Sequence, residues 1–262
     1  MMPLAWRLSA AQWDVLTEVL GLEGYPAPIQ VRSTGRTRLE HARVRADVGV
    51  ELSRLGLLRA GRMDADLEAA VHLLHWPTTW VDWVWLADAV AGQPVRVVAA
   101  RGGTAGVCAL QHPDQPGATL LEVIPATGLA AAVVSRLPSH PPDRSATVTV
   151  QSPSARPSPQ PSGGVLVSAS PVRSSADRDR AAAAAMLDKP RVRAGQIAAN
   201  VRDPSGQVRR SDVLRWCDNV DGRYHVTVDR RSGESTSMTI GPGDPQRLRD
   251  GVQRLLAALQ PG

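Results

Sequence analysis

Apolar positions alternate between helical and strand spacing along the chain, in an order that occurs twice. After Asp64, residues Leu67, Ala70, Val71 and Leu74 fall at i, i+3, i+4 and i+7. Residues 64–76 therefore read as an amphipathic helix, opened by an Asp cap and stopped by Pro77. Four strand-like runs follow at 79–90, 95–101, 106–111 and 118–124, separated by short Gly, Pro and Asp turns, which predicts an antiparallel meander. Pro125 then stands where a first helical residue belongs, and Leu129, Val133 and Leu137 carry a second helix to Pro138. The same order returns with a helix at 176–187, strands near 196–201, 208–217, 224–229 and 235–240, and a last helix opened by Asp244 and Pro245. That helix shows Leu248, Val252, Leu255, Leu256 and Leu259 on one face.

The copies at 64–138 and 176–261 keep nearly one register when Pro77 is set on Pro190 and Ile124 on Ile240. Repetition over that length predicts a duplicated unit whose copies bury a face against each other. The expected architecture is mixed α/β of the α+β type, an antiparallel sheet with flanking helices and a binding seam between the copies. Ahead of the first copy, 4–8 reads as a short strand, Ser9 with Gln12 as a capping box for a helix through Leu20, and 37–58 as a further helix. From Pro138 to Pro171 lie eight of the chain's 21 prolines with many serines, so 139–175 reads as a mobile connector, with only 147–150 and 165–167 fit for short strands. The whole of 1–262 is taken as one domain.

Composition narrows the function. The chain has no Phe, two Tyr and seven Trp, so its core must be largely aliphatic. All but one of the 30 basic residues are Arg, the exception being Lys189, yet 25 acids are interleaved with them and no dense basic stripe forms. The net charge of +5 thus does not point to nucleic acid. Cys108 and Cys217 lie in different halves with no Cys-x-x-Cys, which fits a reduced, cytosolic compartment. No apolar run reaches the length of a membrane span, so no membrane insertion is expected.

Candidate chemistry is sparse. His72 and His75 share the last turn of a helix near Asp64 and Glu68, but third and fourth ligands are not visible, so no metal is assigned. Gly102, Gly103 and Gly106 precede a strand, not a helix, and read as a hairpin turn. Cys108 has no ordered His and Asn or Asp partners for nucleophilic work. Asp218, Asp221 and Asp229 lack the ligand spacing of a calcium loop and surround a hairpin corner at Asp221-Gly222. No catalytic residue and no cofactor are therefore expected. Trp76, Trp80, Trp83 and Trp85 sit in one apolar run with Val81, Val84 and Leu86, which makes core the default and a partner-facing strand the alternative.

Several segments together resemble the EspG family of ESX (type VII) secretion-associated proteins: Trp6-Arg7-Leu8-Ser9, Val50-Glu51-Leu52 through Gly56-Leu57, the helix into Trp76-Pro77, and Asp218-x-x-Asp221-Gly222-Arg223-Tyr224. The ending Thr239-Ile240-Gly241-Pro242-Gly243-Asp244 with its leucine-rich helix belongs to the same likeness. The resemblance implies a pseudo-two-fold body with a central antiparallel sheet flanked by two helical bundles. It also implies a non-enzymatic cytosolic chaperone that holds PE/PPE heterodimers by the PPE subunit and keeps them soluble for export. In such proteins the partner meets the loop between the second and third strands and the C-terminal bundle. Here that loop corresponds to Val90, Ala91, Gly92, Gln93 and Pro94. Because the turn is short, the sheet residues Trp83 and Trp85 and the helix bearing Met186 and Leu187 complete the expected partner-binding set. The competing expectation is an enzyme or small-molecule-binding protein with a cleft at the seam between the copies.

Overall fold

In the computed structural model, which describes residues 4–32, 35, 37–88, 92–153, 175–231 and 235–260, ten strands join in a single antiparallel sheet. The chain enters through β1 (Ala5–Ser9), α1 (Ala10–Val19), α2 (Arg38–Arg54), the small hairpin β2 (Leu58–Arg59) and β3 (Arg62–Met63), and α3 (Ala65–His75). A meander of β4 (Thr79–Leu86), β5 (Pro94–Gly102), β6 (Ala105–Gln111) and β7 (Ala118–Pro125) follows, then a 3-10 turn and α4 (Leu129–Ser135). After β8 (Val148–Pro153) and α5 (Ser175–Leu187) comes a second meander, β9 (Arg193–Arg202), β10 (Val208–Asn219), β11 (Gly222–Arg231) and β12 (Ser235–Pro242), closed by α6 (Pro245–Ala257). The strand order is β1-β7-β6-β5-β4-β9-β10-β11-β12-β8, so β4 and β9 are the central pair.

Local chemistry sets the helix ends. The Ser9 hydroxyl accepts from the Gln12 amide while Gln12 Oε1 accepts from the Ser9 amide, which closes the expected box on α1. Thr37 and Glu40 repeat the device on α2. The helix expected to run to Leu58 stops at Arg54 because Gly56 takes a left-handed φ of 73° and its amide, with that of Leu57, returns to the carbonyls of Ser53 and Leu52. That Schellman end turns the chain into the β2–β3 hairpin, so Leu58 is a strand residue and not the expected last residue of the helix. The run expected to reach residue 90 is strand only to Leu86.

Core forms on both faces of the sheet. On one, α4 and α6 pack together over Val81, Trp83, Trp85, Val97, Ile197, Leu214 and Trp216. On the other, α1, α2 and α3 cover β1 and β5–β7, while α5 sets Ala183 and Met186 against Tyr224, Val226 and Ile240. Gly195 is where two large rings meet: a Cβ there would lie 2.5 Å from the Trp85 Cβ and 2.7 Å from the Trp216 Nε1, and the rings sit 5.9 Å apart. Part of the Pro/Ser-rich stretch is built into the fold. The Arg223 amide donates to the Pro141 carbonyl and the Asp143 amide to the Arg223 carbonyl, and β8 pairs with β12. Val165, Leu166 and Val167 of the second expected strand lie outside the described residues.

Candidate functional site

Strand β4 is apolar on both faces, and alternation decides what each side chain meets. Val81, Trp83 and Trp85 turn toward α4 and α6. Trp83 is 0% and Trp85 6% exposed, so their rings belong to the core and offer no surface to a partner, contrary to expectation. Trp80, Asp82, Val84 and Leu86 take the opposite face and are half-buried. Cross-strand register extends that face in rows: Gln111, Arg96, Val84, Gln196 and Arg215 lie opposite one another across β6, β5, β4, β9 and β10. The next row holds Pro94, Leu86, Ala194 and Cys217.

Helices on this face stand to either side of the strip, α3 over β5 and β6 and α5 over β8, β11 and β12. Trp80 at one end of β4 packs against the core under α3, and toward the other end the sheet holds a shallow depression of about 300 Å³ lined by Val84, Leu86, Ala194, Gln196, Arg191 and Arg215. At the strip's far end Asp82 accepts two hydrogen bonds from Arg210 and one from Asn200, a closed polar network across three strands. Arg202 stacks beside it on the rings of Trp76 and Trp80, at 5.1 and 5.6 Å.

The remaining expected contact residues surround the strip unevenly. Gly92 and Gln93 are exposed, and Pro94 opens β5 beside Leu86. Val90 and Ala91 lie outside the described residues. Leu187 is half-buried, whereas Met186 is buried against Tyr224 and Ile240 and fixes α5 instead of facing outward. The row of Arg96, Gln196 and Arg215 was missed in the sequence, because only the register brings residues from three strands together.

The other candidates resolve into structural parts. The Cys108 thiol is buried in the core, and burial pushes it up to about 12, so it stays protonated. His75 directs its ring nitrogens to the carbonyls of Val71 and Gly24. Among the described residues no three His, Cys, Asp or Glu side chains gather as a metal site. A cavity of about 670 Å³ lies away from the β4–β9 strip, between α3 and the ends of β6 and β7, with an apolar lining that includes Leu4, Leu73, Val107 and Val123.

The sequence matches the profile of the EspG family over residues 9–254. The chain belongs to the EspG family. Its fold is similar to that of the Mycobacterium tuberculosis type VII secretion system chaperone EspG5, solved in complex with a PE25–PPE41 dimer. The two share 15% identity at a TM-score of 0.68, with 99% of this chain and 98% of that chain covered. No curated protein matches the sequence.

Residues 218–224 build a buried latch. Asp218 is fully buried and takes both prongs of the Arg223 guanidinium, Nε at 2.6 Å and Nη2 at 2.9 Å. Arg223 Nη2 also donates to the Pro138 carbonyl, its plane lies 4.6 Å over the Trp216 ring, and Arg193 reaches the same Asp218. Asn219 Oδ1 accepts the amides of Asp221 and Gly222, which shapes the corner, and Gly222, with φ 139°, leaves room for Pro142 and Asp143 behind it. The hairpin read from Asp221-Gly222 is present, and Asp221 pairs with Lys189 at 2.7 Å.

Next to the latch, burial lowers the pKa of His225, outweighing the hydrogen bond its Nδ1 makes to the Pro242 carbonyl. The folded protein then binds this proton less readily than the unfolded chain, whose histidines titrate near about 6.5. His225 contributes stability that is present above that value and lost as pH falls through the lower folded pKa. The urea midpoint should drop from pH 7 to pH 5 more steeply in the wild type than in His225→Gln; equal slopes would remove His225 from the pH response.

Proposed function

We propose that this EspG-family chain is a non-enzymatic cytosolic chaperone of a type VII secretion system, which binds a PPE-like subunit of a PE/PPE heterodimer and keeps it soluble for export. The observation that carries the reading is the open strip over β4 and β9, where the seam holds a shallow apolar and basic depression and not an enclosed pocket of converging polar groups. A cleft of that second kind is what an enzyme at the seam would need. Support comes from the fold of EspG5, a chaperone whose structure holds a PE25–PPE41 dimer. The absence among the described residues of a helix long and apolar enough to cross a membrane is in keeping with a cytosolic role.

The strand order reads the same outward from β4 and β9, each four-strand meander is preceded and followed by a helix, and β1 and β8 cap the ends. This arrangement supports a duplicated, pseudo-two-fold unit within a single domain, the copies being 64–138 and 176–261 joined by 139–175. The partner surface in this reading is the turn at Val90, Ala91, Gly92, Gln93 and Pro94, the outward residues Val84 and Leu86 of β4, and the Leu187 side of α5. Trp83, Trp85 and Met186 hold these in place from beneath. A specific complex of this kind buries about 1,600 Å² in total.

Co-expression tests it. A PE/PPE-like pair encoded beside this chain should become soluble in its presence and elute with it in size exclusion. Equal aggregation with and without the chain, and no shared peak, ends the chaperone reading.

A further inference from the structure

The strip carries a charge pattern. Arg96 and Arg215 stand in one row on either side of Val84 and Gln196. Three strand spacings separate them, so their backbones are roughly 14 Å apart at about 4.8 Å per spacing. Arg215 is exposed and Arg96 half-buried, and no carboxylate pairs with either among the described residues. The nearby acids are engaged elsewhere: Asp82 is held by Arg210, and Asp88 at the end of β4 has its own interaction. Arg96 also lines a second cleft of about 490 Å³ together with Gln93, Pro94, Gln111, His112 and Arg32. That cleft adjoins the expected contact turn, so the basic row runs from the turn to the middle of the sheet.

An arginine left unpaired in water costs little, but covering it with an apolar partner strips its hydration without return. A carboxylate brought to it forms short, charge-assisted hydrogen bonds instead. We infer that the strip selects a partner tip of defined charge: an apolar side chain seated on Val84, Leu86 and Ala194, bracketed by two carboxylates that reach Arg96 and Arg215. A helix with its side chains is about 10–12 Å across, so the two arginines bracket the width of one helix end or loop tip. Basic focusing over a low-dielectric sheet face also speeds the encounter with an acidic tip and turns away basic ones.

This inference rests on the chaperone reading, and the experiment separates the two. Binding of the purified PE/PPE-like heterodimer is measured by titration at 50 and 300 mM salt for the wild type, Arg96→Gln, Arg215→Gln, the double variant, and Arg43→Gln on α2 as a remote control. Each single neutralisation should weaken binding about threefold to tenfold at low salt, and the double variant should lose most of the salt dependence. Arg43→Gln should bind as the wild type does. A complex that forms equally well with the double variant overturns the charge-selective strip and leaves the chaperone reading standing. Equal weakening by Arg43→Gln overturns it too, since net charge alone would then be at work. No complex with the wild type removes both.

Discussion

Asp218→Ala is expected to destabilise the protein by about 3–5 kcal/mol, the usual cost of leaving a buried charge without its partner. Asp218 is 0% and Arg223 4% exposed, so neither group recovers water when the other is lost. Arg193 would lose its contact to the same carboxylate. The variant also frees the guanidinium that holds the Pro138 carbonyl, and with it the path of the chain from α4 into β8. Urea denaturation followed by circular dichroism gives the free energy directly. A paired replacement, Asp218→Leu with Arg223→Met, should be clearly milder than Asp218→Ala, because it removes the charges together. A loss below about 1 kcal/mol for Asp218→Ala would mean that the latch is not closed in solution.

Trp216→Ala should cost about 3–5 kcal/mol, in the range of other buried aromatic truncations. Trp216 is fully buried, packs on Trp85 and over Gly195, and carries Arg223 on its face. The cavity would open beneath α6, where Leu214 meets Gly251 of that helix at close range. Because Trp216 and Asp218 both act on Arg223, their effects should not add. The double variant Trp216→Ala with Asp218→Ala is expected to fall short of the sum of the singles by more than about 0.5 kcal/mol. Strict additivity would show that the stacking and the ion pair are independent.

Much of this fold is legible in the order of apolar runs. The amphipathic stripe of α3, the Ser9–Gln12 box, the Asp244-Pro245 start of α6 and both meanders follow from local spacing, since each rests on contacts within a few residues. Trp83 and Trp85 were harder. In β4 the outward positions, Trp80, Val84 and Leu86, are as apolar as the inward ones, so alternation carried no contrast and the rings could be set on either face. Met186 was misplaced for a related reason: in an Ala-rich helix the buried stripe of Ala183 and Met186 is faint. The ion pair of Asp218 and Arg223 had a usable signal, opposite charges facing each other across a short hairpin turn, but its third member, the Pro138 carbonyl, lies 85 residues away. The Arg96–Arg215 row depends on the β4–β9 junction, which no local pattern encodes.

That junction has a consequence for how the chain acquires its shape. Within each meander neighbouring strands are joined by short turns and can zip up as soon as they exist, whereas β4 must wait for β9, more than a hundred residues further along. Bringing distant strands together is the slow step of such a topology. During synthesis the first meander is therefore present with an open β4 edge bearing Trp80, Val84 and Leu86, a template for stray strands until residue 202 has left the ribosome. The proposed shelter for another protein's exposed surface is built around the edge that this protein itself must protect longest.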